Sequence, residues 1–568
     1  ATKLAPTTSA APAAKTKEVT LDDAPVADPP AEGSAKKPTK NVIRVFNDWV
    51  GEAAKELKIR LSNVNIKAEN AGQKAAMDVS GGGKTKVELD GQNVLDSYSV
   101  LYQAGLRKQG EGTLIITDET DDTGNKITSD KTDETGSLTA KGGGGNGAAG
   151  IGGSIGEDAK NITIEGYATV DATGGGHGAG IGGGGSDGHN PARSGDAENI
   201  IIQGHSKVTA TALDGAAIGG GSANGSGGNY SGGSARKIVI RDHATVIAKG
   251  SYDDRTGYGA AIGAAGYSGD NTEAEVTIGT PGATVEDEDV NIIATGFSGS
   301  AIGNGKKITT VTIQGHVTIQ TASSHNETAI GSGVGNVTVN ITDNVTIDTD
   351  DEAINVAPGY SGSSIGGGDI SSNSGRTVEV NINGRDKGRI EIGKNSAITG
   401  VDGAISGTTV NIGNNVLLKM KPWGSPDDKY INVKGAEAAV GTRNNPAAGG
   451  LVNTIGDNTE LWYYSKGWQQ KIVHGKNVCT KNEIDRKDAT CTEDGWVKYG
   501  CTYESNRYAT APEHIDEWTE TIPALGHDWK DNGDANHICD RDHVTAAHTY
   551  GEWTTVKEAT CTAAGQKQ

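Results

Sequence analysis

Apolar and polar residues alternate in short runs along most of the chain, and the runs recur. Segment 161–172 reads NITIEGYATVDA, while segments 199–210 and 237–248 read NIIIQGHSKVTA and KIVIRDHATVIA. Such alternation is typical of a strand with one buried face, and Glu-Gly or Gln-Gly between two runs indicates a turn. Each segment therefore predicts two short strands joined by a tight turn.

A second motif, Gly/Ala-x-Ile-Gly, stands between these segments and predicts a third short strand. Its isoleucine occurs at Ile151, Ile181, Ile218, Ile262, Ile302, Ile330, Ile365 and, in a looser copy, Ile405. The small neighbours of the isoleucine allow close approach of backbones. Three strands and three turns per repeat predict an all-β fold, a parallel β-helix, right-handed because parallel crossovers strongly prefer that hand. A propeller needs four strands per even repeat and collagen needs Gly at every third position, so neither fits.

The pattern also divides the chain into regions. Residues 1–40 are rich in Ala, Pro, Thr and Lys and predict a disordered leader. Residues 41–59 predict an N-terminal cap, within which the apolar positions of 45–58 have helical spacing. Residues 60–460 form the predicted Gly-rich β-helix. Residues 461–568 hold all five cysteines and predict small Cys/Trp-containing β modules that act as a stalk, the last of them truncated.

Composition and charge narrow the function classes. The chain has 568 residues, 86 of them Gly, with only two Phe and two Met, so a thin core repeated along an axis is expected rather than a large one. A formal net charge of −21 opposes binding to a phosphate backbone or an anionic membrane surface. The sequence has no apolar run long enough to cross a bilayer, and we expect neither nucleic acid binding nor direct membrane insertion.

Several segments resemble a known family. LSNVNIKA (61–68), GTLIITD (112–118) and GAAGIGG (147–153) resemble the Gly-rich parallel β-helix repeats of adhesin-like surface proteins of gut Firmicutes. DATCTEDGWVKYGC (488–501) and IPALGHDW (522–529) resemble the small Cys/Trp modules near the wall-proximal ends of such proteins. The resemblance implies an extracellular protein, secreted or attached to the cell wall. It further implies an adhesin whose loop-decorated β-helix binds host or dietary glycans or mucosal glycoproteins, with self-association as a further expectation.

Two alternative functions stay open at this stage. Parallel β-helices also host glycoside hydrolases and polysaccharide lyases, and a rod can act as a structural spacer or filament component. A glycosidase needs two carboxylates roughly 5–10 Å apart. The acidic turns that offer them contain Asp348, Asp350, Asp351 and Glu352, and Glu286, Asp287, Glu288 and Asp289. Because solvated acidic loops explain both turns more simply in so acidic a chain, we assign no catalytic residue and favour a non-enzymatic function.

Aromatic residues supply the candidate ligand-binding positions. Flat rings with a polar edge stack well against sugars. The candidates are Trp462, Tyr463, Tyr464, Trp468, Tyr258 and Tyr267. Packing as the C-terminal cap of the rod is the alternative explanation for the group at 462–468. Within the rod, Tyr167, Tyr258, Tyr267 and Tyr360 fall in loops and are expected to line a groove.

The cysteine modules raise the question of a metal. The C-x-x-C pair of the similar modules stands here as Cys501-Thr-Tyr-Glu504 and Cys539-Asp-Arg-Asp542. An acid in the second position interrupts a four-cysteine zinc site, so we expect no metal and no cofactor. The histidines that could complete a site around Cys539 are His527, His537, His543 and His548. Disulfides with packed or surface histidines are the simpler explanation.

Overall fold

The protein is seen in a computed structural model. The residues that the structure describes are 2–4, 17–22, 38–49, 56–69, 74–119, 136–145, 147–186, 193–223, 231–250, 259–266, 271–283, 289–296, 299–323, 328–349, 364–367, 376–384, 388–393, 405–420, 432–434, 437–440, 450–455, 459–464, 468–474, 482–502, 515–531, 536–547, 554–557, 560 and 566–567.

Three parallel stacks of strands, here called sheets A, B and C, form a β-solenoid, as the sequence predicts. The strands of sheet A are Thr2–Leu4, Ile43–Phe46, Met77–Ser80, Leu106–Gln109, Ile151–Gly152, Ile181–Gly182, Ile218–Gly219, Ile262–Gly263, Ile302–Gly303, Ile330–Ser332, Ile365–Gly367 and Ile405–Ser406. The chain passes through sheets A, B and C in turn and then begins the next coil. Among the described residues every regular element is a strand, and no helix is long and apolar enough to cross a membrane.

Sheets B and C carry the longer strands. The parallel strands of sheet B are Lys17–Asp22, Leu57–Ser62, Thr85–Asp90, Leu114–Asp118, Ala159–Gly166, Ala197–Ile202, Ala235–Ile240, Glu273–Ile278, Ile308–Ile313, Asn336–Thr349, Val378–Gly384, Thr409–Ile412 and Gly450–Ile455. Those of sheet C are Asn65–Lys67, Gln92–Asp96, Ser137–Lys141, Thr169–Thr173, Lys207–Thr211, Thr245–Gly250, Val290–Gly296, His316–Ser323, Ile390–Ile392, Val416–Met420 and Thr459–Tyr464. Strand Asn336–Thr349 runs through both, pairing with sheet B at its start and sheet C at its end.

The core is a set of apolar columns that run along the solenoid. Ile162, Ile200 and Ile238 are direct neighbours on successive coils and are all fully buried. On sheet A, each motif isoleucine from Ile151 to Ile405 pairs in register with the next and is buried. The period-2 pattern therefore places the same residue type at the same depth in each coil, which confirms the strands predicted from the repeats.

The glycine after each motif isoleucine from Ile151 to Ile365 is required by the backbone. Gly219 has φ +144°, and a Cβ on it would lie 1.8 Å from the carbonyl oxygen of Gly263 on the next coil. Gly182 has φ +140°, and a Cβ there would lie 1.9 Å from the oxygen of Gly219. Only glycine adopts such a conformation readily. At Gly182 and Gly219 the very short strands of sheet A therefore lie close together because this position lacks a side chain.

The N-terminal region differs from the sequence-based expectation. The helical spacing at 45–58 predicted a cap helix, but Ile43–Phe46 and Leu57–Ser62 are strands of the solenoid. Val45, Ile59 and Leu61 are buried with a period of two, which outweighs the helical pattern once neighbouring coils are available for pairing. Within residues 1–40, expected to be a disordered leader, Thr2–Leu4 and Lys17–Asp22 form parallel strands. Residues 50–55 lie outside the described residues.

The C-terminal part forms a second unit. Thr459–Tyr464 pairs in parallel with Val416–Met420 and in antiparallel with Trp468–His474, so both segments belong to the solenoid unit rather than to a module starting at residue 461. The second unit holds the described residues from 482 onward. Its strands, which form small antiparallel sheets, are Asn482–Lys487, Gly495–Thr502 and Ile515–Ile522; Trp529–Asp531, Asn536–Cys539 and Thr545–Ala547; and Thr555–Lys557 and Gln566–Lys567.

Candidate functional site

Three aromatic rings from successive coils form a stack at the turn between sheets B and C. The centroids of Tyr167 and His205 are 4.9 Å apart, and those of His205 and His243 are 4.6 Å apart. Both pairs are within 9° of parallel. The His205 side chain is exposed, while the other two are half-buried. We call these three residues the ring ladder.

The turn backbone sets the direction of the ladder. Gly166 and Gly204, which precede the first two rings, both have φ +68°. Asp242 takes the equivalent place before the third ring with φ +56° and tolerates the left-handed region as Asp can. The third turn differs in that His243 itself also has a positive φ, +62°. Because the strands that flank the three turns pair without a shift, the ring positions still follow one another at the spacing of one coil.

A polar ladder lies two residues before the ring ladder. The Gln203 side-chain amide donates to Glu165 Oε2 at 2.8 Å. The Arg241 guanidinium donates through Nε and Nη2 to Gln203 Oε1 at 3.0 and 2.7 Å. Hydrogen bonds thus hold the polar side chains of three coils in line beside the rings. The surface combines flat rings with fixed amide, carboxylate and guanidinium groups.

The structure tests the expected aromatic positions only in part. Tyr167, expected to line a groove, is the first member of the ring ladder. Trp462, Tyr463 and Tyr464 lie in strand Thr459–Tyr464, and Trp468 begins the strand that pairs with it, so that Tyr464 and Trp468 are directly opposite. Their backbone alone is described. Tyr258, Tyr267 and Tyr360 lie outside the described residues.

Sequence reasoning missed His205 and His243. The signal was present, because each stands at the same position of its repeat as Tyr167 in the aligned segments. The neighbouring polar residues are separated by 38 residues along the chain, which is one full coil here. Since Tyr and His differ in type, residue identity between the repeats does not mark Tyr167, His205 and His243 as one column.

The predicted acidic turns are largely outside the described residues. Of the first group only Asp348 is described, and it lies half-buried in strand Asn336–Thr349. Of the second group only Asp289 is described, and its carboxylate forms an ion pair with His316. The candidates that lie outside the described residues are Asp350, Asp351, Glu352, Glu286, Asp287 and Glu288.

A different pair of carboxylates meets one guanidinium on the outside of sheet A. Arg107 donates from Nε to Glu157 Oε2 at 2.8 Å, and its Nη1 lies 3.5 Å from Asp78 Oδ2. Burial raises the pKa of Asp78 above its usual value, while Arg107 and Arg44 oppose that shift. The hydrogen bond that Arg107 donates to Glu157 raises the pKa of Arg107 above its usual value. The arrangement is an ion-pair network between coils, and it contains one carboxyl group with a raised pKa.

In the second unit four potential metal ligands converge. One ligand atom from each of Cys491, His527, Cys539 and Asp542 lies within 4.8 Å of the others. The two sulfur atoms are 3.7 Å apart, so these cysteines are not joined by a disulfide. Nδ1 of His527 is 3.3 Å from Oδ2 of Asp542. Among the side chains that the structure describes, this is the group with the composition and closeness of a metal centre.

The two thiols and the carboxylate of this cluster have pKa values shifted in different directions. Desolvation, with contributions from Asp542 and Cys539, raises the pKa of Cys491 to about 12. Desolvation is the largest single effect on Cys539 and raises its pKa, but hydrogen bonds from the backbone N–H groups of Asp542 and Arg541 and from His527 together lower the pKa of that thiol. Hydrogen bonds from the two thiols lower the pKa of Asp542 to about 2. Cys539 is therefore the better thiolate of the pair.

Sequence and fold similarity add no identification. The chain matches no family model, no curated protein and no solved structure. The functional conclusion therefore rests on the repeated surface of the solenoid and on the cluster in the second unit.

Proposed function

We propose that this protein is a bacterial surface protein, secreted or attached to the cell wall, that binds glycans or a glycoprotein through the flank of its β-solenoid. The observation that carries the proposal is the ring ladder of Tyr167, His205 and His243 beside the polar ladder. Aromatic rings with polar edges, next to fixed hydrogen-bonding groups, are the usual components of a sugar-binding surface.

The spacing of the ladder suits an extended polysaccharide. Stacked rings cover one another's inner faces, so the groups they offer to a ligand are the outward edges, with the phenol oxygen and imidazole nitrogens. These edges repeat along the solenoid at the ring separations of 4.9 and 4.6 Å. An extended polysaccharide advances by a similar length with each sugar. A chain lying parallel to the solenoid axis would therefore meet one set of donors and acceptors per sugar, and many weak contacts would add.

Charge favours a neutral glycan over a strongly acidic one. The net charge of −21 repels polyanions at long range. The cationic groups at the ladder are few, and Arg241 is already engaged with Gln203 and Asp242. We therefore expect neutral host or dietary glycans to be retained more strongly than sulfated ones.

An array of defined glycans and mucins, probed with the full chain, tests the proposal. The informative variant is Tyr167→Ala/His205→Ala/His243→Ala. The matched control is Thr173→Ala/Thr211→Ala/Lys249→Ala, a row on sheet C of the same three coils. We expect the first variant to lose retention by at least about tenfold and the control to keep it. Equal retention by both variants would show that the ligand does not use the ring ladder.

The pair Trp462 and Trp468 is the second aromatic candidate, on the hairpin that Thr459–Tyr464, the last described parallel strand of sheet C, forms with Trp468–His474. Trp468→Ala on the same array separates the two surfaces. Loss of retention in this variant alone would move the binding site from the flank to the hairpin.

The array also separates binding from catalysis. A glycan-active enzyme would remove or shorten the glycan on the array instead of only retaining the protein. The observation that favours this second candidate is the Asp78 carboxyl with its raised pKa near Glu157 and Arg107. If glycan loss were seen, Asp78→Asn should abolish it. An array without retention or glycan loss would favour a spacer or filament component.

A further inference from the structure

The four-residue cluster in the second unit is assembled from separate segments. Cys491 lies between strands Asn482–Lys487 and Gly495–Thr502, and His527 lies between Ile515–Ile522 and Trp529–Asp531. Cys539 ends strand Asn536–Cys539, and Asp542 lies in the turn that follows. The cluster therefore brings together the two three-stranded antiparallel sheets of this unit.

Two distances in the cluster match those of a tetrahedral zinc site. With Zn–S bonds near 2.3 Å, two thiolates on one zinc ion are about 3.8 Å apart; the observed separation is 3.7 Å. With Zn–N and Zn–O bonds near 2.05 Å, the nitrogen and oxygen are about 3.3–3.4 Å apart. His527 Nδ1 and Asp542 Oδ2 are separated by 3.3 Å. Two independent ligand–ligand distances thus have the values that one central zinc ion would impose.

We propose that Cys491, His527, Cys539 and Asp542 bind one structural Zn²⁺ ion. Two soft thiolates, one borderline imidazole and one hard carboxylate form a mixed S/N/O donor set, and zinc is a divalent ion that binds all three ligand types in tetrahedral geometry. Four protein ligands close the coordination sphere, as in structural rather than catalytic zinc sites. Asp542, in the second position of the C-x-x-D pair, thus supplies the ligand that its replacement of cysteine had been expected to remove.

Groups around the cluster orient its ligands as outer contacts do in zinc sites. The backbone N–H of Asp528 donates to Cys539 Sγ at 3.4 Å. The tight turn from Cys539 to Asp542 is closed by His543 N–H donating to the Cys539 carbonyl at 2.9 Å. The His527 ring stacks on Trp529 with centroids 4.4 Å apart. Such contacts fix rotamers and ring orientation before a metal binds.

The small core of the second unit gives the site a structural purpose. Among the non-glycine side chains described there, the buried ones are Cys491, Val497 and Cys539. Leu525, Trp529 and Val544 are exposed. A unit of this size rarely buries enough apolar surface to fold by that alone, and a metal commonly supplies the difference. Two of these three buried side chains are cysteines of the cluster. The ligand cluster itself therefore forms the centre of the described part of this unit.

Cobalt spectroscopy on the full chain tests the proposal. The reduced chain, stripped with a chelator, is titrated with Co²⁺ and then with Zn²⁺. We expect one Co²⁺ per chain, with the intense visible bands of tetrahedral cobalt and a near-ultraviolet thiolate-to-cobalt band, both removed by one equivalent of Zn²⁺. A chain that shows neither band in the reduced state would overturn the proposal.

Variants locate the site and guard against simple misfolding. Cys539→Ser and His527→Ala should each weaken zinc binding by at least about 100-fold, since loss of outer contacts alone costs 10–100-fold. Asp542→Cys should keep the tetrahedral bands and increase the thiolate band in proportion to its added sulfur ligand. Asp540→Asn and His543→Ala, matched changes in the same turn, should bind as the wild type does.

The remaining cysteines provide the decisive control. The variant Cys479→Ser/Cys501→Ser/Cys561→Ser keeps Cys491 and Cys539 and should bind one zinc ion with unchanged affinity. Loss of binding in this variant, or an unchanged thiolate band in Asp542→Cys, would place the metal elsewhere and contradict the assignment.

Discussion

At the scale of single residues, backbone conformation explains most of the unusual composition. The motif glycines of sheet A have φ values that other residues rarely adopt, and each faces a carbonyl of the next coil. Inside the strands of sheet B, Asn161 and Asn199 take a positive φ of +56°, which Asn tolerates better than most residues. The abundance of glycine is therefore a requirement of close coil stacking.

Gly219→Ala should destabilise the solenoid strongly. Its Cβ would lie 1.8 Å from the Gly263 oxygen, and the backbone at φ +144° would be strained. We expect a local loss of more than about 2 kcal/mol. Hydrogen exchange of the backbone amides in 216–223 and 260–265 measures this local loss of stability, because solenoids open locally rather than in one step.

Gly204→Ala is the comparison for this change. Its Cβ would lie 3.0 Å from the nearest atom, and its φ of +68° is a left-handed conformation that alanine adopts at about 1–2 kcal/mol. A loss in Gly204→Ala equal to or larger than that in Gly219→Ala would contradict the argument from close coil stacking.

Lys108 is a buried cation inside the solenoid. It lies in register with the buried Val79, and its Nζ donates to the Gly110 carbonyl at 2.8 Å. Desolvation lowers its pKa to about 8, while Glu111 opposes the shift. Because the folded-state pKa lies below the ordinary lysine value of 10.5, the charged form is disfavoured in the fold.

Lys108→Met should therefore stabilise the protein at pH 7, by about 1–3 kcal/mol. The gain should shrink as the pH rises from about 8 to 10.5, because the wild-type lysine then loses its proton and with it the penalty. Thermal unfolding followed across this pH range measures the difference. Lys141→Met, an exposed position on sheet C, should show neither the gain nor its pH dependence. A gain that is constant with pH would rule out the charge as its cause.

At the scale of strands, ladders of like side chains fix the register between coils. Asn381 donates to Asn340 Oδ1 at 2.9 Å, and Asn411 donates to Asn381 Oδ1 at 2.7 Å. The Asn381 amide thus donates to one neighbouring coil and accepts from the other, as a stack of parallel strands allows. The ring ladder and the polar ladder beside it follow the same principle.

Asn381→Asp should weaken this part of sheet B. The carboxylate cannot donate to Asn340 Oδ1 and would face that oxygen and Glu379 instead. We expect a local loss of about 1–2 kcal/mol, read as faster hydrogen exchange in Val378–Gly384. Thr338→Ala, on the neighbouring strand, should change exchange much less. Unchanged exchange in Asn381→Asp would mean that backbone pairing alone sets the register.

At the scale of the whole molecule, the two units are stabilised by different means. The solenoid unit buries continuous apolar columns, whereas the described part of the second unit buries few side chains. Continuous columns stabilise each coil through its neighbours. The second unit depends on a local centre, and all four proposed ligands lie within it.

Metal removal should therefore act on one unit only. Treatment of the reduced full chain with a zinc chelator should increase hydrogen exchange in 482–502 and 536–547 and leave the solenoid strands unchanged. Re-addition of Zn²⁺ should restore protection. Exchange that rises equally in both units, or in neither, would contradict this division.

Local pattern was sufficient for the repeating strands. The alternation in 161–172 and in its copies predicts the strands there and their buried faces, and the motif isoleucines predict the short strands of sheet A. A period of two is a local property of the sequence, so it can be read without knowledge of distant contacts. The same reasoning gave a helix at 45–58, but at the described ends of that segment, in Ile43–Phe46 and Leu57–Ser62, pairing with strands of neighbouring coils decides the outcome. It identified Tyr167 as a surface aromatic and placed Cys539 and His527 among possible metal ligands.

The sequence by itself determined the solenoid and its three strands per coil, since each coil repeats one local pattern. Only the tertiary structure decided which side chains meet across coils and segments. Tyr167, His205 and His243 become one column because the strands that carry them pair in register. Asp542 joins Cys491, His527 and Cys539 because the small sheets bring distant segments together. Such convergence depends on long-range packing, for which no local period in the sequence is a signal.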